Sequence, residues 1–177
     1  LKIAEELGNK NGIAMWLGNI GIVYWKQKEY PKALDNYFKA LKMHEEFGHK
    51  NGIETCLANI GSVYADQGDK PKALDYFFKA LKIAEELGHR DGISAHLGNI
   101  GFVYHVQKNY PKALDYSFNA LKIAEELGDK NGIAIHLSRI GCVYTETGKF
   151  AEAEEYLKKA IAIYDSIGVM DFLRQSE

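Results

Sequence analysis

Asn19, Asn59 and Asn99 recur at intervals of 40 residues, and Arg139 takes the next place in the series. A primary amide carries both a donor and an acceptor. Peptide backbone presents the same pair whatever its side chains, so amides in register could hold an extended chain by its main chain. Arg139 adds a guanidinium that could meet an acidic group on a partner. The same interval places Cys56, His96 and His136 in one column, a soft-metal set by residue type. Glu45-Glu46, Glu85-Glu86 and Glu125-Glu126 are paired carboxylates of the kind used in general acid–base chemistry. Neither set passes a geometric test. Equivalent helices of neighbouring repeats stack about 8–10 Å apart, while zinc ligands sit within roughly 2.0–2.3 Å of the metal. A catalytic carboxylate pair is needed once, and a pair recurring at a fixed interval marks a solvated helix face. No glycine-rich phosphate loop and no Ser-His-Asp or Cys-His arrangement appears. We therefore expect no catalytic residue, no metal and no cofactor.

The interval of 40 organises the whole chain. Gly8, Gly48, Gly88, Gly128 and Gly168 follow it, as do Gly12, Gly52, Gly92 and Gly132, and Gly21, Gly61, Gly101 and Gly141. Gly18 with Gly98 and Gly68 with Gly148 complete the 17 glycines, and Pro31, Pro71 and Pro111 keep the same period. The frames are 11–50, 51–90, 91–130 and 131–170. Residues 1–10 read as the tail of a preceding unit, because 1–7 match 81–87 and 121–127, and 171–177 read as the start of a cap or next unit. Within a unit, Ile13, Leu17, Ile20, Val23 and Tyr24 give one helical stripe over roughly 10–26. Ala33, Leu34, Tyr37, Ala40, Leu41 and Phe47 give a second over roughly 30–47. Lys28-Glu29-Tyr30-Pro31 and its copies form the turn, with Pro in the first helical turn. Gly48 and its copies end the second helix in a left-handed conformation. Asn9 and Asp129 are expected N-caps. His44, His49 and His89 fall at helix ends or turns and are expected to be solvated.

The composition agrees with a helical chain and excludes several classes. There are 22 Lys and Arg against 24 Asp and Glu, a net charge of −2, with 46% hydrophobic residues. A nucleic-acid reader needs a basic stripe for phosphate, and the prospective binding face offers Lys26 and Arg139 almost alone. No apolar run approaches the roughly 20 residues of a membrane span. No secretory leader opens the sequence, so a cytoplasmic location is expected. Two cysteines, 86 residues apart, make no disulfide framework.

Gly21-x-x-Tyr24 followed by Ala33, Tyr37 and Ala40 resembles the tetratricopeptide repeat (TPR) pattern of Gly, Tyr, Ala, aromatic, Ala. It recurs as Gly61, Tyr64, Ala73, Phe77 and Ala80, as Gly101, Tyr104, Ala113 and Ala120, and as Gly141, Tyr144, Ala153 and Ala160. Ser117 and Leu157 depart at the aromatic position, the usual Pro after the second helix is missing, and the unit exceeds the common length of about 34. The longer unit resembles the subgroup found in kinesin light chain, in the spindle adaptors named for Leu-Gly-Asn repeats, and in Rap-type peptide receptors. The resemblance implies an all-α fold, a single array over 1–177, built as a right-handed α-solenoid of antiparallel helix pairs. It also implies that the first helices line a concave groove that binds a ligand and does no catalysis. The Asn five residues before the first-helix Tyr resembles the asparagine ladder of that subgroup. Where carboxylate-clamp repeats carry an Asn after the motif Gly, this chain has Ile22, Ser62, Phe102 and Cys142, which speaks against a clamp for a C-terminal carboxylate.

Aligning the four units separates packing from recognition. Ten columns are invariant, among them those of Gly21, Tyr24, Ala33 and Ala40; six columns hold four different residues. Five of those six lie on or just after the first helix, headed by Met15, Ile22, Trp25, Lys26 and Glu29, within an arc of roughly 100°. The sixth is Tyr37/Phe77/Ser117/Leu157 on the second helix. A variable face arises from drift on a solvated surface or from a groove read by different side chains in each unit. Met15, Ile22, Trp25, Phe102 and Val106 are too apolar for a merely wetted face, which favours the groove. The expected peptide-binding residues are Asn19, Asn59, Asn99 and Arg139 for the main chain, with Met15, Ile22, Trp25, Lys26, Ser62, Asp66, Phe102 and His105 for side chains. The expected function is a scaffold binding a protein or extended peptide, or else a peptide-sensing module of a larger signalling protein. Apolar Leu1, Ile3, Ala4 and Leu7 at one end, and Val169, Phe172 and Leu173 at the other, suggest end-to-end self-association. No nucleic acid and no membrane is expected as partner.

Overall fold

The computed structural model describes residues 2–168, with side chains from residue 10 onward. Among the described residues there are eight helices and no strand: α1 (Lys2–Lys26), α2 (Tyr30–Glu46), α3 (Lys50–Asp66), α4 (Lys70–Leu87), α5 (Arg90–Val106), α6 (Tyr110–Leu127), α7 (Lys130–Glu146) and α8 (Phe150–Ser166). The chain forms two compact units, Leu1–Gly88 and His89–Glu177. In the first, α1 packs on α2, α2 on α3 and α3 on α4, and α1 also meets α3. In the second, α5 to α8 repeat this arrangement. Odd-numbered helices are the first helices of the repeats and even-numbered ones the second.

The invariant glycines make the close helix pairing possible. A Cβ on Gly21 would stand 2.6 Å from the Tyr37 ring, and one on Gly61 2.9 Å from the Phe77 ring. On Gly101 it would meet Ser117 Oγ at 2.9 Å and the Ala113 carbonyl at 3.2 Å, and on Gly141 the Leu157 side chain at 2.7 Å. The variable second-helix column is therefore no part of a recognition surface: it fills the space over the glycine, and Tyr37, Phe77 and Ser117 are buried. Ala33, Ala40, Ala73, Ala80, Ala113 and Ala120 are fully buried, which explains why these columns stay small.

Turn chemistry differs from the sequence reading in detail. The residue that reverses the chain between paired helices is left-handed in each repeat: Gly68 at φ 79° and Gly148 at φ 74°, but Lys28 at φ 61° and Lys108 at φ 59°. Asp69 and Asn109 cap the second helices, accepting from the backbone N–H of Lys72 at 3.2 Å and of Lys112 at 3.4 Å. Asp129 occupies the N-cap position of α7 but its side chain accepts no capping bond. Gly48, Gly88 and Gly128 are left-handed at the ends of second helices, as the spacing predicts. At Gly8 the helix does not break: α1 runs through it for 25 residues. A glycine inside a helix costs only about 1 kcal/mol, which the uninterrupted ladder of α1 tolerates.

His44 is also placed differently from expectation. It is 6% exposed, buried against Gly52, because the ring fills the space left by the missing Cβ there. The stripe of α1 is more exposed than its copies. Ile20 and Val23 are 44% and 54% exposed, whereas Ile60, Val63, Ile140 and Val143 are buried. Within the first unit, α3 packs against α1, α2 and α4, while α1 packs mainly against α2. The apolar termini named for self-association, Leu1, Ile3, Ala4 and Leu7 with Val169, Phe172 and Leu173, lie outside the described side chains.

Candidate functional site

In the first unit, α1 and α3 line an open cavity of about 810 Å³, to which α2, the α2–α3 turn and Leu87 of α4 also contribute. Asn11, Met15, Asn19 and Ile22 line it from α1; Asn51, Thr55, Cys56 and Asn59 line it from α3; His44 lines it from α2. The 3.6-residue period does this: positions 11, 15, 18/19 and 22 share a helix face, as do 51, 55 and 59. Four of the expected recognition residues, Met15, Asn19, Ile22 and Asn59, are thus brought to one cavity. His49, at its rim, lies 3.1 Å from Asn11 Oδ1 through Nδ1, and Lys50 is tied to Glu86 at 2.8 Å. His44 is held below the usual histidine pKa by burial, with His49 adding repulsion, so it is neutral near pH 7. Burial pushes the Cys56 thiol up to about 11, with Glu45 adding to it, so it is no nucleophile.

The remaining expected residues of the first unit, Trp25, Lys26, Ser62 and Asp66, do not line this cavity. Trp25 Nε1 donates to Asp66 at 2.7 Å, and both Trp25 and Ile22 pack against the unit's apolar core. Ser62 Oγ turns back to the carbonyl of Ala58 at 3.0 Å. Lys26 is exposed on the last turn of α1.

In the second unit the corresponding side chains converge differently. Arg139 Nη2 donates to Asn99 Oδ1 at 3.4 Å, and its guanidinium lies over the Phe102 ring at 5.7 Å. The space above Gly98 is taken: a Cβ there would lie 2.5 Å from Arg139 Nη1 and from His136 Cε1. Ser94 Oγ donates to the Ala120 carbonyl at 2.9 Å and lies 3.1 Å from His136 Nε2. Burial, and secondarily Arg139, lower the His136 pKa to about 4, opposed weakly by Asp129. His105 faces Glu146 at 3.0 Å, and Tyr110 donates to the same carboxylate at 3.1 Å. A second cavity of about 570 Å³ lies among α6, α7 and α8, on the side of the second helices, lined by Leu121, Ile133, Leu137 and Tyr156.

Sequence reasoning missed three contacts of the site: Asn11 with His49, Lys50 with Glu86, and Trp25 with Asp66. Each joins residues 36 to 41 apart, a separation close to the repeat, so the period itself was the available signal. Among the described residues no three His, Cys, Asp or Glu side chains converge to hold a metal, and no described helix is long and apolar enough to cross a membrane.

The tetratricopeptide repeat model matches residues 1–86 and 92–166. No curated protein sequence matches the chain. Among solved structures it is similar to BtubC (BKLC) from P. vanneervenii, at 21% identity and a TM-score of 0.78, over 88% of this chain and 64% of that one. Aspartyl phosphate phosphatase F from Bacillus subtilis gives 21% and 0.85, over 90% and 42%. A Rap protein complexed with Competence and Sporulation Factor gives 21% and 0.80, over 90% and 44%. Identities this low speak for the fold alone, and the chain spans less than two thirds of each of these proteins. With paired helices meeting over invariant Gly and Ala, and a family pattern matched along most of its length, the chain belongs to the tetratricopeptide repeat family.

Proposed function

We propose that the chain is a protein-interaction module that holds an extended peptide against the first helices of its repeats. The observation that carries this reading is the cavity of the first unit. It is concave, it combines Met15 and Ile22 with four asparagine side chains, and it lies within the roughly 300–1,000 Å³ of typical ligand pockets. Amides of Asn19 and Asn59 suit a main chain, which must keep its donors and acceptors paired when it leaves water. In the second unit Asn99 is already engaged by Arg139, so Arg139 serves a ligand by holding that amide and presenting part of its own guanidinium. Phe102, 44% exposed, offers an apolar contact there. The structural likeness to a Rap protein complexed with Competence and Sporulation Factor favours a second form of the same reading, in which the chain is the peptide-sensing part of a longer protein.

The test is a titration of the 15N-labelled chain with an arrayed library of extended peptides, following backbone amide shifts. The reading expects shifts concentrated on α1 and α3, at Met15, Asn19, Thr55 and Asn59. Shifts confined to α2 and α4, or none with any peptide, would refute it.

A further inference from the structure

The two units treat one column in opposite ways. Above Gly98 the space is filled by Arg139 and His136, and Ser94 bonds to that histidine. Above Gly18 nothing lies within 4 Å of a Cβ. The cause is residue size: Ala14, Cys56 and Asn59 stand in the first unit where Ser94, His136 and Arg139 stand in the second. Those larger side chains would have taken only the part of the cavity that lies over Gly18; the rest of its volume of about 810 Å³ extends along α1 and α3.

The walls of that cavity decide what could fill it. They carry no carboxylate. The ammonium of Lys50 is committed to Glu86, and His49 to Asn11. In the second unit the guanidinium rests on the aromatic face of Phe102, but Ile22 replaces that face in the first. A cation entering the first unit's cavity would give up part of its hydration without meeting a carboxylate or the phenyl face that Phe102 provides in the second unit, and an anion would find the Lys50 ammonium occupied. Met15, Ile22, Ala14 and Cys56 instead give an entering apolar group contact on several sides.

We propose that the cavity of the first unit is a specificity pocket that takes one uncharged, apolar side chain, of the Leu, Met or Phe class, from a bound peptide. The proposal rests on the peptide-binding reading above and adds where selectivity resides. The second unit supplies its own filler in Arg139 and does not discriminate at this column.

The test uses the pentapeptides Ac-Ala-Ala-X-Ala-Ala-NH2 with X as Leu, Phe, Ala, Asp or Arg, titrated into the 15N-labelled chain. The Leu and Phe peptides should bind at least about tenfold more tightly than the Ala, Asp and Arg peptides, the return expected from burying one large apolar side chain. Shifts should centre on Gly18, Cys56 and Asn59. The double variant Cys56→His/Asn59→Arg copies the second unit and should bring the Leu peptide down to the level of Ala. Gly18→Leu, at a helical position open to a Cβ, fills the same space from the other wall and should do the same even if the double variant fails to fold. Equal binding of Leu, Asp and Arg peptides, or full Leu affinity in the Gly18→Leu variant, overturns the pocket and leaves peptide binding standing. Absence of binding by all five peptides overturns the pocket, and the library titration then decides the wider reading separately.

Discussion

Glycines of this chain occur in fixed columns, yet substitution at two of them should have opposite effects. Gly12 lies in α1 with nothing within 4 Å of where a Cβ would stand. Gly101 lies in α5, where the same atom would meet Ser117 Oγ at 2.9 Å, the Ala113 carbonyl at 3.2 Å and the Ser117 backbone nitrogen at 3.3 Å. Ser117 Oγ could rotate away, but the two backbone atoms of α6 cannot give without moving that helix. Gly12→Ala therefore relieves only the helix-interior cost of glycine and should stabilise by about 0.5–1 kcal/mol. Gly101→Ala overpacks and should destabilise by about 1–3 kcal/mol, and Gly101→Leu by more. At about 2–4 °C per kcal/mol for a chain of this size, Tm should rise by a few degrees in the first case and fall by several in the second. Glu85→Gln, at an exposed position, should leave Tm within about 1 °C of the parent, because surface changes seldom exceed about 0.5 kcal/mol. Melting followed by far-UV circular dichroism reads all of these. Equal shifts for Gly12→Ala and Gly101→Ala would refute the packing argument, since it predicts that the sign depends on what stands opposite.

Lys108 holds a left-handed φ where Gly68 and Gly148 stand in sister repeats. That conformation costs a side-chain-bearing residue about 1–2 kcal/mol and glycine's extra chain entropy about 0.5–1, so Lys108→Gly should stabilise by about 0.5–1 kcal/mol in urea melts. A loss of stability would contradict this. The Tyr37 hydroxyl is buried with no hydrogen-bond partner, and burial pushes its pKa up to about 12. Tyr37→Phe should raise stability by about 1 kcal/mol, because the Phe77 column shows that the ring alone fits. His136 is neutral in the fold, with a pKa lowered from 6.5 to about 4. As pH falls from 6.5 to 4 the unfolded chain takes up a proton that the folded one refuses, so stability present above pH 6.5 is lost, by up to about 3 kcal/mol. His136→Gln should flatten that part of the pH–stability curve, and an unchanged slope would show that the histidine is hydrated.

The helices and their pairing were legible because the chain states them repeatedly. Gly21, Tyr24, Ala33 and Ala40 recur in fixed columns, and small residues at helix contacts leave few other ways to pack. The Asn19, Asn59 and Met15 cluster was legible for the same reason, since their helical phase differs from that of the invariant columns. What was not legible depends on one partner's size. His44 reads as a solvated helix-end histidine until the ring is seen to occupy the space above Gly52. Asp66 reads as a free recognition carboxylate until Trp25 is found donating to it. Tyr37, Phe77, Ser117 and Leu157 read only as a variable column, because sequence records the change of residue and not the glycine opposite. Asn99 and Arg139 share one column in the alignment, and only the fold shows the one holding the other across the turn of a repeat.

Peptide binding by the first unit, as proposed, requires the amides of Asn19 and Asn59 to serve a ligand and not the fold. The direct measurement is the affinity of a library-selected peptide for the double variant Asn19→Ala/Asn59→Ala, paired with its Tm. Affinity should weaken by about 1–3 kcal/mol, the range for hydrogen bonds lost from a desolvated site, with Tm within about 2 °C of the parent. Lost stability with affinity intact would contradict it and make the asparagines structural.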